Sequence, residues 1–349
     1  MSRKLKIENF DPNGVGVHNG RFIGMPFDRE EAQVVLVQAP WDVTVSSNSG
    51  TCLGPANILE SSYQLDLFDD FVPDAWKIGL YMEPQNDDLL LQSKLLRAKS
   101  ESYIAALEGG EEISIELIAT RNQINSACGK MLNQLEKRCI TILENKQQFG
   151  IIGGDHSVAL AGIRAISKKH KQFGILQIDA HMDLRKSYEG FEFSHASIFY
   201  NAMQIEEVTK LVQVGIRDFC EEEVLFADQE KERIALFTDT MMQESLFDGV
   251  NFDKICTKIV DELPQNVYIS FDIDGLKPSF CQNTGTPVPG GLSFSEAKYL
   301  IKKVVLSHRN IIGFDLCEVA GTGHDYDGNV GARVAYMLSN YMGKSLGLI

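Results

Sequence analysis

The sequence lacks several features that would assign the protein to other classes. Its seven cysteines are an odd number, form no CxxC pair and lie partly inside apolar runs. This pattern indicates buried thiols in a reducing compartment rather than a disulfide framework. No run of about 18 apolar residues occurs, and the start, MSRKLKIENFDPNG, turns polar where a secretory signal needs its apolar segment. We therefore expect a cytoplasmic protein with no membrane partner.

Basic charge is also scarce. The 349 residues include 33 Lys and Arg against 48 Asp and Glu, which gives a formal net charge of -15. Nucleic-acid affinity depends largely on Lys and Arg that neutralise phosphates, so we expect no nucleic-acid partner. Apolar residues make up 44% of the chain, which is enough for a sizeable core.

Apolar runs alternate with amphipathic helical patterns along most of the chain. Residues 1–32 are polar and rich in Gly and Pro, and they predict an irregular N-terminal arm. From residue 33 to residue 349 no linker interrupts the pattern, which predicts a single, doubly wound and mostly parallel α/β domain. The runs that predict strands are residues 32–38, 76–82, 148–152, 173–183, 211–216, 234–237, 267–272 and 311–316.

One predicted strand ends in a distinctive set of polar residues. The segment 173–183, FGILQIDAHMD, reads as a strand that presents Asp179, His181 and Asp183. Side chains alternate between the two faces of a strand, so these three are expected to project in the same direction. Two carboxylates and an imidazole at the carboxyl end of a strand suit a divalent metal in the crevice of an α/β sheet.

Two other predicted strands end in residues of the same kinds. His156 lies in GGDHS after one strand, and Asp272 and Asp274 follow another at i and i+2. Six ligands are too many for one tetrahedral ion, and four carboxylates, about -4 in charge, match two divalent cations that could activate a shared water. Oxygen-rich ligation favours manganese over zinc or copper, although iron or cobalt could substitute. The alternative is that these residues merely cap helices and end strands.

As a set, these motifs resemble the ureohydrolases, the family of arginase, agmatinase, formimidoylglutamase and relatives. The similar segments are GGDHS at 153–157, DAHMD at 179–183, SFDID at 270–274, FDLCEVA at 314–320, SGTCLGPANI at 49–58 and TGTPVPGGL at 284–292. The resemblance covers nearly everything after residue 32. It implies a binuclear manganese amidino- or imino-hydrolase with a three-layer α/β/α fold, an eight-stranded parallel sheet and a homo-oligomer, either a trimer or a hexamer.

The resemblance also implies roles for the site residues. Two Mn(2+) ions per subunit would be held, the first by His156, Asp179, Asp183 and Asp272, and the second by Asp179, His181, Asp272 and Asp274. The hydroxide between them would attack the amidine carbon. His195, in FEFSHASIFY, is similar to the family histidine that protonates the leaving amine, a role for a group that titrates near neutrality. Glu318 matches the glutamate that receives the cationic end of the substrate. With the ligand Asp183, these two form the catalytic group; the alternatives are a surface histidine and a strand-end acid.

The choice of substrate depends on how the protein recognises the part of the substrate beyond its amidine group. The segment HMDLR resembles the formimidoylglutamase form of the motif, and Arg185 could pair with a substrate carboxylate; a surface ion pair is the alternative. FEFSHASIFY is closer to agmatinase. The segment GLKPSF departs from the family, because Lys277 stands where an aspartate is common. We predict hydrolysis of N-formimidoyl-L-glutamate to glutamate and formamide, with urea release from arginine or agmatine as the alternative.

The sequence offers two alternatives to a ureohydrolase, a silent metal-binding subunit and a two-metal phosphoesterase. The chain could be a catalytically silent, metal-binding subunit of a homo-oligomer, but a structural metal needs neither a proton carrier such as His195 nor a cation acceptor such as Glu318. A two-metal phosphoesterase is disfavoured, because no cluster of Arg or Lys accompanies the ligands to hold a phosphate. A small cationic amidine or guanidine is therefore the expected substrate.

Overall fold

A single parallel sheet of eight strands forms the centre of the protein. The computed structural model describes residues 3–349. The strands are β1 (Val34–Ala39), β2 (Leu80–Met82), β3 (Gln148–Gly153), β4 (Phe173–Ile178), β5 (Val208–Ile216), β6 (Ile234–Thr238), β7 (Asn266–Asp272) and β8 (Asn310–Cys317). Their order is β2-β1-β3-β8-β7-β4-β5-β6, and every neighbouring pair is parallel. The expected eight-stranded parallel α/β fold is confirmed.

Helices cover both faces of the sheet. Within the described residues they are α1 (Arg3–Asn9), α2 (Gly54–Ser62), α3 (Asp87–Glu108), α4 (Ile115–Glu144), α5 (Ala159–Ser167), α6 (Ile198–Ala202), α7 (Glu221–Gln229), α8 (Asp239–Phe247), α9 (Phe252–Asp261), α10 (Phe294–Leu306) and α11 (Asp325–Ser345). One apolar core contains residues of α2 and α8 to α11, and a second core contains residues of α3 to α7. The molecule therefore has three layers.

The strands read as continuous apolar runs because both of their faces are buried. In β1, Val34 and Leu36 belong to one core, whereas Val35 and Val37 belong to the other. Successive side chains point to opposite faces, so a strand between two helical layers needs apolar residues at every position.

The strand order brings four motif-bearing strands together. The chain leaves β3 and returns as β4, and the later strands β8 and β7 fill the space between them. In parallel α/β sheets, ligands bind beyond the carboxyl ends of strands where the order reverses. The carboxyl ends of β3, β8, β7 and β4 therefore form the place where a site is expected.

Some predicted boundaries are wrong. β4 ends at Ile178 rather than at residue 183, and Asp183 has a φ of 53°, which is incompatible with a strand. The second predicted strand is shortened, since Ala75–Ile78 forms a 3-10 helix. The helical patterns in the sequence predict helices over about 122–146 and 331–341, whereas α4 begins at Ile115 and α11 at Asp325. They predict no helix in the place of α8.

The N-terminal arm is partly ordered as a helix. Residues Arg3–Asn9 form α1, and Phe22, Met25 and Phe27 are fully buried. Composition alone suggested an irregular segment, but a few large apolar side chains are enough to attach it to the core. Residues 1 and 2 of the predicted arm lie outside the described residues. The division into an arm at 1–32 and a domain at 33–349 stays a prediction.

The structure also shows the state of the cysteines and whether any helix could span a membrane. All seven thiols are free; six are buried, and Cys220 is partly exposed. Within residues 3–349, no helix combines the length and apolar character that crossing a membrane requires.

A tight backbone contact next to the motif GGDHS gives a stability prediction. A Cβ atom at Gly154 would lie 1.9 Å from the carbonyl oxygen of Trp41. We expect Gly154→Ala to lower the free energy of unfolding by at least about 1–3 kcal/mol, because backbone must move to admit the methyl group. Urea denaturation would measure the change. Gly129→Ala in α4, where the nearest heavy atom is 3.6 Å away, is the control and should stabilise by about 0.4–1 kcal/mol. Equal stability of the Gly154 variant and the parent protein would contradict this account.

Candidate metal centre and active site

Three carboxylates surround one ring nitrogen of His156. This residue begins a short 3-10 helix after β3, where the Asp155 side chain caps the backbone N–H of Ser157. Its Nδ1 lies 3.1 Å from Asp179 Oδ2, 3.2 Å from Asp183 Oδ2 and 3.4 Å from Asp272 Oδ2. The nitrogen is buried and makes no hydrogen bond of acceptable geometry.

A second group of ligand atoms lies around His181. Its Nδ1 is 3.2 Å from Asp274 Oδ2 and 3.6 Å from Asp179 Oδ1. Asp179 therefore contributes one oxygen to each group, because its Oδ2 faces His156. The structure brings all six predicted ligands together, and their binding of metal stays a prediction.

Hydrogen bonds within the loops aim these carboxylates. Asp179 Oδ1 accepts from the backbone N–H of His181 at 2.7 Å, and Asp272 Oδ1 accepts from that of Asp274 at 2.8 Å. Asp274 Oδ1 accepts from the backbone N–H of Ala180 at 3.1 Å. In Asp179 and Asp272 this oxygen caps a turn, whereas the bond of Asp274 links two distant segments. The Oδ2 atom of each of the three lies next to a histidine nitrogen. The capping alternative from the sequence is thus compatible with ligation, because the same side chains can do both.

The cluster of carboxylates is electrostatically unfavourable by itself. Burial, followed by the charge of Asp179, raises the pKa of Asp183 to about 7. Burial and the charges of Asp274 and Asp179 raise the pKa of Asp272 well above its ordinary value. Despite burial, the neighbouring carboxylates raise the pKa of His181 to about 12. Cations between these groups would relieve the repulsion.

The donor set fits two divalent cations. Its atoms are carboxylate oxygens and imidazole nitrogens, and two overlapping groups, His156 with Asp179 and Asp183, and Asp179 with His181 and Asp274, have their donor atoms within 4.8 Å of one another. Because Nδ1 of His156 is buried and has no hydrogen-bond partner, its chemistry fits a donor atom for one of these cations. Such a mixed oxygen and nitrogen set suits manganese better than copper.

A cavity of about 190 Å³ opens directly beside these ligands. His181 and Asp183 belong to its wall. The other lining residues are Ser46, Arg185, Tyr188, His195, Ala196, Asp218, Phe219, Glu223 and Thr286. A small substrate in this cavity would therefore touch the ligand groups.

His195 faces the cavity from the start of a 3-10 helix capped by Ser194. It is partly exposed, and its ring meets that of Tyr188 edge-on, with centroids 6.3 Å apart. Burial, followed by the positive charges of His181 and His156, lowers the pKa of His195 to about 3. This shift favours the neutral ring, and the role of His195 as a proton carrier stays a prediction.

Glu318 is buried just after β8 with a backbone φ of 63°. Its Oε1 accepts a hydrogen bond from the backbone N–H of His156 at 2.9 Å. A Cβ atom at Gly285 would lie 3.4 Å from its Oε2, and Gly285 precedes the cavity residue Thr286. Burial and the charge of Asp155 raise the pKa of Glu318 well above its ordinary value.

Arg185 lines the cavity and already has partners within the protein. Its guanidinium carbon lies 4.8 Å from the centre of the Tyr188 ring, and its Nε lies 3.9 Å from Glu223 Oε2. Arg185 therefore forms an ion pair, which was the alternative considered in the sequence analysis. Because Arg185 also lines the cavity, its role in binding the substrate stays a prediction. Lys277 is exposed and does not belong to the described cavity lining.

Sequence reasoning missed the buried polar residues behind the ligands. Ser270 and Asp315 lie on β7 and β8 and connect to His156, and Gln177 donates to Asp179 Oδ2 at 2.9 Å. A signal was present, because Asp315 is an acidic residue inside an apolar strand sequence, IIGFDLC. Buried acids are rare unless they are paired.

Comparisons with known proteins found similarity over most of the chain. Residues 32–342 match the model of the arginase family. An N(1)-aminopropylagmatine ureohydrolase of Thermus thermophilus is 30% identical over 307 residues, which cover 88% of this chain and 89% of that protein. An agmatinase of Cronobacter sakazakii is 30% identical over 302 residues, covering 85% and 82%.

A solved structure shares the fold. The formiminoglutamase of Trypanosoma cruzi, crystallised with Mn2+, superposes with a TM-score of 0.68 at 16% sequence identity. The match covers 92% of this chain and 97% of that one. At this level of identity the comparison bears on the fold alone.

Proposed function

The chain belongs to the arginase family and is a hydrolase of amidino C–N bonds, and on that premise we propose that it hydrolyses an agmatine-type guanidine to urea and an amine with two manganese ions. The observation that carries this proposal is the pair of ligand groups that share Asp179 beside the cavity. The match to the arginase family model confirms the resemblance to ureohydrolases at the level of the family.

We propose the ligand sets that the sequence predicted. The first ion would be held by His156, Asp179, Asp183 and Asp272, and the second by Asp179, His181, Asp272 and Asp274. When bound, such a pair supplies an activated water and stabilises charge that develops at the attacked carbon.

Glu318 would bind the planar cationic end of the substrate. The backbone N–H of His156 holds its Oε1 in place, so the carboxylate is pre-oriented for a guanidinium. Carboxylate and guanidinium form paired, charge-assisted hydrogen bonds. The raised pKa of Glu318 in the protein alone is consistent with this role, because a cation would favour the charged carboxylate.

His195 would carry the proton that the leaving amine needs. Its lowered pKa means that the ring is neutral at pH 7 and has a lone pair free to accept a proton. The protonated ring, in the wall of a cavity that would hold the two divalent cations, would release that proton readily to the amine. A histidine in such a position contributes as a general acid and base.

The cavity favours a substrate whose chain ends in an amine. Asp218 and Glu223 line the wall, where Arg185 is the one residue of the lining that is Arg or Lys, and Arg185 already lies near Glu223. The two relatives named above are an agmatinase and an N(1)-aminopropylagmatine ureohydrolase. Formimidoylglutamate, the substrate favoured from the sequence, is the second candidate, because Arg185 at the cavity could pair with a substrate carboxylate.

Product analysis tests the choice of substrate. The purified protein with manganese would be assayed for urea and formamide with agmatine, N(1)-aminopropylagmatine, arginine and formimidoylglutamate. We expect urea from one or both of the agmatine compounds. Formamide from formimidoylglutamate with no urea from any guanidine would overturn the agmatine proposal in favour of the second candidate. Two bound metals without turnover of any substrate would favour the silent subunit.

We also propose a cytoplasmic homo-oligomer, a trimer or a hexamer. Light scattering coupled to size-exclusion chromatography gives the number of subunits, and a monomer at micromolar concentration would overturn this proposal.

A further inference from the structure

A buried chain of hydrogen bonds lies on the side of His156 away from the carboxylates. Its Nε2 is 2.9 Å from Ser270 Oγ, and Ser270 Oγ donates to Asp315 Oδ1 at 2.9 Å. All three side chains are at most 1% exposed. The residues Ser270 on β7 and Asp315 on β8 are direct partners in the register of the sheet, so the backbone itself sets their spacing.

The carboxylate of Asp315 imposes a direction on this chain. An ionised carboxylate only accepts hydrogen bonds, so the hydroxyl hydrogen of Ser270 goes to Asp315. Ser270 Oγ is then left as an acceptor, and Nε2 of His156 must provide the hydrogen. In a neutral imidazole the other nitrogen, Nδ1, consequently carries the lone pair. Nδ1 is the atom that faces Asp179, Asp183 and Asp272.

The burial of the Asp315 carboxylate is energetically unfavourable. Asp315 is the acidic residue of an apolar strand that is otherwise IIGF and LC, it is 0% exposed, and its Oδ2 is buried without a hydrogen-bond partner. A buried carboxylate of this kind destabilises the folded state unless hydrogen bonds or opposite charges compensate for its lost hydration. The hydrogen bond that Asp315 accepts from Ser270, which in turn contacts His156, is the interaction that offsets part of this cost.

We propose that Asp315, acting through Ser270, is a positioning residue that holds His156 in the tautomer and orientation that make Nδ1 a metal ligand. The inference rests on the proposed function, because it presumes the metal pair. Partners behind ligating histidines fix the ring and its tautomer, and their loss commonly weakens metal binding about 10–100-fold.

An alternative use of the same residues must be distinguished. His156, Asp315 and Cys317 also offer three donor atoms within 4.8 Å of one another, with Cys317 Sγ 3.7 Å from Asp315 Oδ1. A metal bound there would use Nε2 of His156 instead of Nδ1. In that case, removal of the Cys317 thiol would abolish the binding of one metal ion.

The central experiment is Asp315→Asn in the full chain, titrated with manganese alone. The amide is nearly isosteric but can donate to Ser270, which reverses the chain and favours a hydrogen on Nδ1. We expect one of two manganese ions to bind about 10–100-fold more weakly, by calorimetry and by metal analysis after gel filtration. The electron paramagnetic resonance spectrum should change from an exchange-coupled pair to an isolated ion.

Further variants control for misfolding and for the alternative metal group that includes Cys317. Ser270→Ala keeps the buried carboxylate, breaks the chain at its middle and should weaken the same ion; thermal melting of the metal-free variants checks that each is folded. Asp69→Asn, at a buried acid that caps Phe71 and Val72, and Cys317→Ser should both keep two ions. The proposal is overturned if Asp315→Asn or Ser270→Ala binds both ions as tightly as the parent, or if Cys317→Ser loses one. A parent protein that binds no manganese would instead refute the proposed function.

Discussion

Asp179→Asn is expected to lower kcat/KM by about 10³-fold or more and to leave fewer than two metal ions bound. Asp179 gives one oxygen to the group around His156 and the other to the group around His181. An amide offers one neutral oxygen, so it cannot serve both groups. A metal pair supplies several kcal/mol of transition-state stabilisation, and about 4 kcal/mol corresponds to this change in rate.

The measurement combines steady-state urea release with metal content per subunit. Asp228→Asn is a matched control, because this acid is exposed on α7 and does not belong to the cavity lining. Its kinetics and metal content should equal those of the parent. If Asp179→Asn kept two tightly bound ions and full activity, the shared-ligand model would have to be abandoned.

His195→Gln is expected to lower kcat about 10²–10⁴-fold while both metal ions remain bound. Glutamine preserves polarity and much of the volume but cannot carry a proton, and positioned general acids and bases contribute rates of this size. His195 lies in the cavity wall and is not one of the six proposed ligands. The loss should therefore fall on turnover, with the metal content unchanged.

His170→Gln provides the control for this second prediction. His170 lies beyond α5, outside the cavity lining, so the same substitution there should leave turnover unchanged. A His195 variant with normal kcat would show that another group, or water, protonates the amine. A variant that lost metal would show that His195 supports the ligands instead.

Local periodicity was enough to predict the α/β class of the fold and to single out six polar residues that the structure brings together; their binding of metal stays a prediction. Strands buried on both faces are apolar at every position, so β1 and β3 stand out in the sequence. Polar residues such as His156, Asp179 and Asp272 stand out in turn because they interrupt or follow those runs. Both features can be recognised within short segments of the sequence.

Features that depend on distant segments could not be predicted in this way. The prediction that Asp179, His181 and Asp183 converge by strand alternation reached the right grouping for a wrong reason, since Asp183 adopts a left-handed backbone after β4 has ended. The link between Ser270 and Asp315 depends on β7 lying beside β8, and strand order is set by tertiary packing. The low pKa of His195 likewise depends on neighbours from other segments.

The distribution of thiols makes the protein suitable for selective chemical labelling. Burial raises the pKa of the thiols of Cys52, Cys128, Cys139, Cys256, Cys281 and Cys317, so they are shielded from alkylating reagents both sterically and chemically. Cys220 is the partly exposed exception, and it directly follows the cavity residue Phe219. A maleimide fluorophore would therefore attach at one position per folded chain, next to the cavity, and could report ligand entry by its emission.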